Sequence, residues 1–171
     1  TKMSADNFNA FKSNNYPSLA KIGLGIHFNE EALWRVQAKR PLKVQYELDT
    51  AVMFLDLNPG ITEAVLRHQL YTPGIKGIVL KTFGAGNAPT YAWFTEAVKE
   101  AVERDIVILN VTQCVNGGVH AKMYMSGNQL ASTGVVSGHD ITSEAAITKM
   151  MYLFGLGLST AEVRRYLECS L

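Results

Sequence analysis

Hydrophobic positions are distributed unevenly along the chain. From Ala51 onward they fall into short runs and helical stripes; before it they do not. Val52-Met53-Phe54-Leu55-Asp56-Leu57 is a brief apolar run, broken by Asn58-Pro59-Gly60. Thr62 can cap a helix whose apolar positions are Ile61, Val65, Leu66 and Leu70. Pro73-Gly74 turns the chain into a second run, Ile75 to Leu80, rich in β-branched residues. The loop Gly84-Ala85-Gly86-Asn87-Ala88-Pro89 then leads to a helix with Phe94, Val98 and Val102 on one stripe, beside Ala97 and Ala101. Trp93 and Phe94 read as core. Ile106-Val107-Ile108-Leu109 is the third run. After Gly117-Gly118, Tyr124 to Thr133 reads as helix and Gly134 to Gly138 as a final edge strand. One helix follows over Thr142 to Phe154 and another begins at Ser159, where Glu162 completes a capping box and Leu158 can staple onto Val163.

Continuous apolar strands alternating with amphipathic helices require parallel pairing, with both faces of the sheet covered. The pattern therefore predicts a small doubly wound, flavodoxin-like α/β domain of about four parallel strands, joined by right-handed crossovers. Ligands of such sheets gather beyond the carboxyl ends of the strands. Polar residues collect there in this sequence: Lys81 and Thr82 after one strand, and Asn110, Thr112, Gln113 and Cys114 after another. The first ~50 residues lack this order and read as irregular. They carry the turn signal Asn14-Asn15-Tyr16-Pro17-Ser18 and the charged, proline-interrupted Lys39-Arg40-Pro41-Leu42-Lys43, a linker or edge strand. That stretch predicts the tail of a larger α/β domain.

Composition narrows the function. With 16 basic and 15 acidic residues, the net charge of +1 offers no footprint for nucleic acid and no polybasic handle for a membrane surface. No apolar run is long enough to span a bilayer, and Thr1-Lys2-Met3-Ser4 shows no secretory signal. The two cysteines, Cys114 and Cys169, read as free thiols of a reducing compartment, a disulfide between them being the alternative. His27, His68, His120 and His139 are scattered without metal-ligand spacing, so neither a metal nor a cofactor is predicted.

Individual residues have a plain reading and a functional one. Gly84 and Gly86 lack the third glycine of a nucleotide fingerprint, since Pro89 stands in its place. They read either as a tight turn with Asn87 capping the next helix, or as a backbone cradle for a carboxylate. Lys81 is either a surface lysine or a point charge for a ligand carboxylate. Cys114 is read first as a small buried hydrophobe. Glu30-Glu31 and Glu100 with Glu103 read as surface charge.

Several blocks together resemble the type I (cytoplasmic-type) L-asparaginases. They are Lys81-Thr82-Phe83-Gly84-Ala85-Gly86-Asn87-Ala88-Pro89, Ile108-Leu109-Asn110-Val111-Thr112-Gln113-Cys114, Tyr124-Met125-Ser126-Gly127-Asn128, and Gly134 to Ala145. The opening Thr1-Lys2-Met3-Ser4-Ala5-Asp6, with Phe11 and Ser13, is similar to the end of that family's amino-terminal domain. The resemblance implies a carboxy-terminal half. Residues 1–25 would end the catalytic amino-terminal domain, 26–50 would link, and 51–171 would form the carboxy-terminal asparaginase domain. It implies hydrolysis of asparagine to aspartate and ammonia by a threonine nucleophile on the missing amino-terminal half, with Lys2 as a catalytic lysine acting electrostatically. It further implies a cytoplasmic homo-oligomer, a dimer of dimers, with an asparagine effector site to which Thr1, Lys81, Asn87, Thr112 and Cys114 would contribute. Where the bacterial pattern has arginine this chain has Lys81, which cannot supply a bidentate grip on a carboxylate. Two alternatives are an asparaginase-like subunit of a transfer-RNA-dependent amidotransferase and a non-enzymatic asparagine sensor.

Overall fold

The computed structural model describes residues 1–35, 41–120 and 125–168. The chain divides into two compact units, Thr1–Val44 and Gln45–Leu171.

The second unit is built on a four-stranded parallel sheet in the order β3-β4-β5-β6. The strands are β3 (Val52–Asp56), β4 (Gly77–Thr82), β5 (Val107–Thr112) and β6 (Val136–Ser137). The helices between them are α1 (Glu63–Leu70), α2 (Ala92–Glu103) and α3 (Met125–Ala131); α4 (Ser143–Gly155) and α5 (Thr160–Leu167) follow. Because strand order follows chain order, the three crossover helices share one face of the sheet and the last two helices cover the other. Strand alternation divides the core accordingly. Leu55, Ile78, Leu80 and Ile108 pack with Leu66, Leu70, Phe94, Val98 and Leu130. Val52, Val79, Val107, Leu109 and Val111 pack with Met150, Leu153, Val163 and Leu167. Every residue of β5 is buried, as a central strand covered on both faces requires.

Local chemistry sets the helix starts. The Thr62 hydroxyl accepts from the Val65 N–H, and Thr142 accepts from Ala145 N–H in the same way. The Ser159–Glu162 capping box closes in both directions, at 3.4 and 2.9 Å, and Leu158 packs against the core holding Val163. Phe94 is fully buried as read, whereas Trp93 is only partly buried and stacks on Tyr91 with centroids 5.5 Å apart.

Three local expectations change. Strands β4 and β5 run on past their apolar cores, so Lys81, Thr82, Asn110 and Thr112 lie within strands rather than after them. Asn87 caps no helix, because α2 begins at Ala92 with Tyr91 as its cap. The early residues are not wholly irregular. In the first unit β1 (Ala20–Ile22) and β2 (Ile26–Phe28) form an antiparallel hairpin in the register Ala20↔Phe28. Residues 41–43 form no strand; Lys39 and Arg40 lie outside the described residues.

Candidate functional site

The polar residues singled out in the sequence gather at the carboxyl edge of β3, β4 and β5, and hydrogen bonds join them across the strands. Two of these are buried inside the sheet. The Thr82 hydroxyl donates to Asn110 Oδ1 at 2.6 Å, with the Val111 carbonyl oxygen at 3.1 Å. Thr82 and Asn110 are both almost wholly buried, so each needs the other to satisfy its polar atoms.

One register position further, the Thr112 hydroxyl donates to the Gly84 carbonyl at 2.5 Å and accepts the Cys114 N–H at 3.0 Å. Gln113 reaches sideways. Its Nε2 donates to the Leu57 and Lys81 carbonyls at 2.6 and 3.0 Å, while its backbone N–H donates to Thr82. One side chain thus bridges the ends of three strands.

Lys81 lies on the α4/α5 face by strand alternation. It is neither a free surface lysine nor an unpaired charge. Its Nζ is 2.6 Å from Asp56 Oδ1, its neighbour in the parallel register, and it lies over the Phe54 ring at 5.8 Å. The Lys81 side chain is 26% exposed and that of Asp56 57% exposed, so solvent screens the pair. The sequence reading missed Asp56. Its pairing comes from the parallel register, which no local spacing encodes.

The Gly84–Asn87 loop is pinned at several points. Phe83 and Asn87 exchange backbone hydrogen bonds at 2.9 and 2.8 Å, and the His120 N–H donates to Ala85 at 2.9 Å. Gly86 has φ +106°, and a Cβ there would come within 2.8 Å of Val119 Cγ1. Only glycine meets both demands. Asn87 Nδ2 lies 3.8 Å from where a Cβ on Gly84 would sit.

Cys114 is exposed, which corrects its reading as a buried hydrophobe. It follows β5 by two residues, in a bend beyond the end of the strand. Cys169 lies outside the described residues.

Thr1 and Lys2 belong to the first unit. Lys2 bridges Phe11, is exposed, and lines a hollow of about 450 Å³ with Met3, Ser4, Asn7 and Phe11. Thr1 and Met3 extend this pairing through backbone bonds to Lys12 and Ala10.

A separate ionic cluster joins α1 to α2 and changes the reading of Glu100 as simple surface charge. Glu100 Oε2 accepts from Arg67 Nη1 and from the Tyr71 hydroxyl, both at 2.7 Å, while Arg67 Nε donates to Glu63. The Tyr71 hydroxyl and the Arg67 guanidinium hold the Glu100 carboxyl below its usual range. Burial, then the adjacent Glu100, pushes the Tyr71 phenol up. Among the described residues no group of three or more His, Cys, Asp or Glu side chains is arranged to hold a metal, and no helix is long and apolar enough to cross a membrane.

Comparison with known proteins extends this geometry. Residues 51–167 match the Glutaminase/Asparaginase C-terminal domain. The human 60 kDa lysophospholipase is 40% identical over 167 residues, covering 98% of this chain but 29% of its own length. L-asparaginase 1 of Escherichia coli K12 is 35% identical over 180 residues, covering all of this chain and 50% of its own. The crystal structure of L-asparaginase I from Vibrio cholerae matches all of this chain and 51% of its own with a TM-score of 0.91 at 35% identity. The chain therefore spans between under a third and about half the length of these relatives.

Proposed function

The chain belongs to the Glutaminase/Asparaginase C-terminal domain family, and on that premise we propose that it is the carboxy-terminal half of a type I L-asparaginase. Such an enzyme hydrolyses asparagine with water to aspartate and ammonia. The observation that carries the reading is the agreement of the fold with the strand-end geometry. The backbone follows that of a type I asparaginase over its whole length. The strand ends that meet the family's motifs carry two hydrogen-bonded groups, Gln113 with the Leu57 and Lys81 carbonyls and Thr112 with Gly84 and Cys114.

The nucleophile, a threonine, is carried by an amino-terminal half. It attacks the side-chain carboxamide carbon, ammonia leaves, and water releases aspartate. Lys2 acts as a nearby positive charge that favours loss of the nucleophile's proton. Lys81, Asn87, Thr112 and Cys114 serve a second, regulatory asparagine site, to which the family resemblance also assigns Thr1. The whole protein is a cytoplasmic dimer of dimers; the free Cys114 thiol suits a reducing compartment.

Ammonia release from asparagine tests the proposal. The 171-residue chain alone should release none, and the full-length protein should turn over. Lys2→Ala in the full-length protein should lower kcat by about 10²–10⁴-fold. Turnover by the isolated chain would refute the division of labour. One observation favours a second reading, since the human relative is named a lysophospholipase. Full-length protein that releases fatty acid from a lysophospholipid, and no ammonia from asparagine, would establish that reading.

A further inference from the structure

The strand-end network holds a hydroxyl that is almost inaccessible yet touches both loops bearing the proposed ligand residues. Thr112 is 7% exposed. A hydroxyl has a single proton, and here the Gly84 carbonyl takes it at 2.5 Å. An oxygen lone pair of the same group takes the Cys114 N–H at 3.0 Å. Gly84 opens the loop that ends at Asn87, and Cys114 opens the loop that runs to His120. The two loops meet again at the His120 N–H and the Ala85 carbonyl, at 2.9 Å. Gly86 seats in the same contact. A Cβ there would lie 2.8 Å from Val119 Cγ1 and 3.6 Å from Asn110 Nδ2.

We propose that Thr112 is a positioning residue: its hydroxyl ties the Gly84–Asn87 loop to the Cys114 turn, holding Asn87 and Cys114 at a fixed spacing without itself binding the ligand. This deepens the regulatory-site reading given above, and its ligand-binding consequence rests on that reading. The mechanical part does not. With the hydroxyl removed, the Gly84 carbonyl and the Cys114 N–H both lose their protein partner, and the junction between the loops should open more often. The His120 amide reports this opening, because its hydrogen bond runs to Ala85 rather than to Thr112.

The test compares Thr112→Val, which keeps the shape and removes the hydroxyl, with Thr112→Ser, which keeps the hydroxyl. Both are made in the full-length protein. Amide hydrogen exchange is followed with and without L-asparagine. The His120 amide should exchange about tenfold faster in Thr112→Val and at the wild-type rate in Thr112→Ser. L-Asparagine should protect the Asn87 and Cys114 amides in the wild type and in Thr112→Ser. In Thr112→Val the same protection should require about tenfold more ligand. An unchanged His120 rate in Thr112→Val overturns the proposal. So does a Thr112→Ser protein that exchanges fast at His120, and this arm decides the matter even if Thr112→Val fails to fold. If asparagine protects nothing in the wild type while His120 still accelerates only in Thr112→Val, the regulatory-site reading fails and the brace stands.

Discussion

The two units of this chain use their apolar side chains in opposite ways. In Gln45–Leu171 most of the large apolar residues are inside: Leu55, Leu66, Leu80, Phe94, Ile108, Leu109, Met150 and Leu153 are all essentially sealed from solvent, in two layers on either side of the sheet. In Thr1–Val44 they are outside. Phe8 and Leu24 are fully exposed, Phe11, Ile22 and Trp34 nearly so, and among the described residues Ala32 is the buried hydrophobe of the unit. Both hairpin strands, β1 and β2, show solvent along their length. A two-stranded ribbon without a packed face is marginal in water. The second unit thus carries the driving force for its own folding. The first holds its shape with backbone pairing, such as Lys2 with Phe11 and Ala20 with Phe28, and presents a surface far more apolar than a stable free-standing unit offers.

Mutations should expose that contrast most strongly at the core. Phe94→Ala should destabilise the second unit by about 3–5 kcal/mol, whereas Leu24→Ser in the hairpin turn should change stability by less than about 0.5 kcal/mol. Urea denaturation of the chain, read by far-ultraviolet circular dichroism, measures both. Equal losses would mean that the first unit has a core after all.

A smaller effect should come from the start of α5. Ser159→Ala removes the hydroxyl that accepts from the Glu162 N–H and donates to the Glu162 carboxylate, leaving only the backbone half of the capping box, and should cost about 1 kcal/mol in the same denaturation assay.

The weakest effect concerns pH. Glu100 has its carboxyl pKa lowered in the folded state, by Tyr71 first and then by Arg67. A lowered folded value means that this cluster's contribution is present above the ordinary carboxylate range, near pH ~4.3. It is lost as pH falls through the folded value. Glu100→Gln should therefore flatten the acid side of the stability–pH profile of the second unit by slightly lowering its neutral plateau, the two proteins converging once the pH is below the folded value. Thermal melts between pH 3 and 7 would show an unaltered acid slope if the cluster contributes nothing.

What could be read from the residues was local; what could not was made by register. The Ser159–Glu162 box, the Thr62 cap and the stripe of Phe94, Val98 and Val102 depend on spacings of three or four residues, and the structure has all of them. The parallel sheet followed from uninterrupted apolar runs. The strand ends did not. Lys81, Thr82, Asn110 and Thr112 are polar, so each run seemed to stop before them, yet Thr82 and Asn110 satisfy each other from adjacent strands. Asp56 beside Lys81 is the same case. Asn87 is a helix cap only if a helix follows at once; Ala88 to Thr90 intervene before the cap residue Tyr91. The hairpin does have a local signal in the sequence. Ala20-Lys21-Ile22 and Ile26-His27-Phe28 flank Gly23-Leu24-Gly25, a glycine-bearing connection of hairpin length.

The stretch just ahead of β3 matters to anyone excising the second unit. The family match opens at residue 51, but the fold has begun six residues earlier. Gln45 Nε2 donates to the Gly155 carbonyl, the Asp49 N–H donates to Met151, and Asp49 Oδ2 sits 2.7 Å from Lys76 Nζ. The Glu47 carbonyl lies so close over Gly155 that no side chain would fit there. Those residues act as a strap over the exit of α4. A clone trimmed to the homology boundary would strip it off, taking these partners from the Gly155 and Met151 carbonyls and the Lys76 ammonium and leaving a bare glycine groove at the helix end. The sound place to cut is before Gln45.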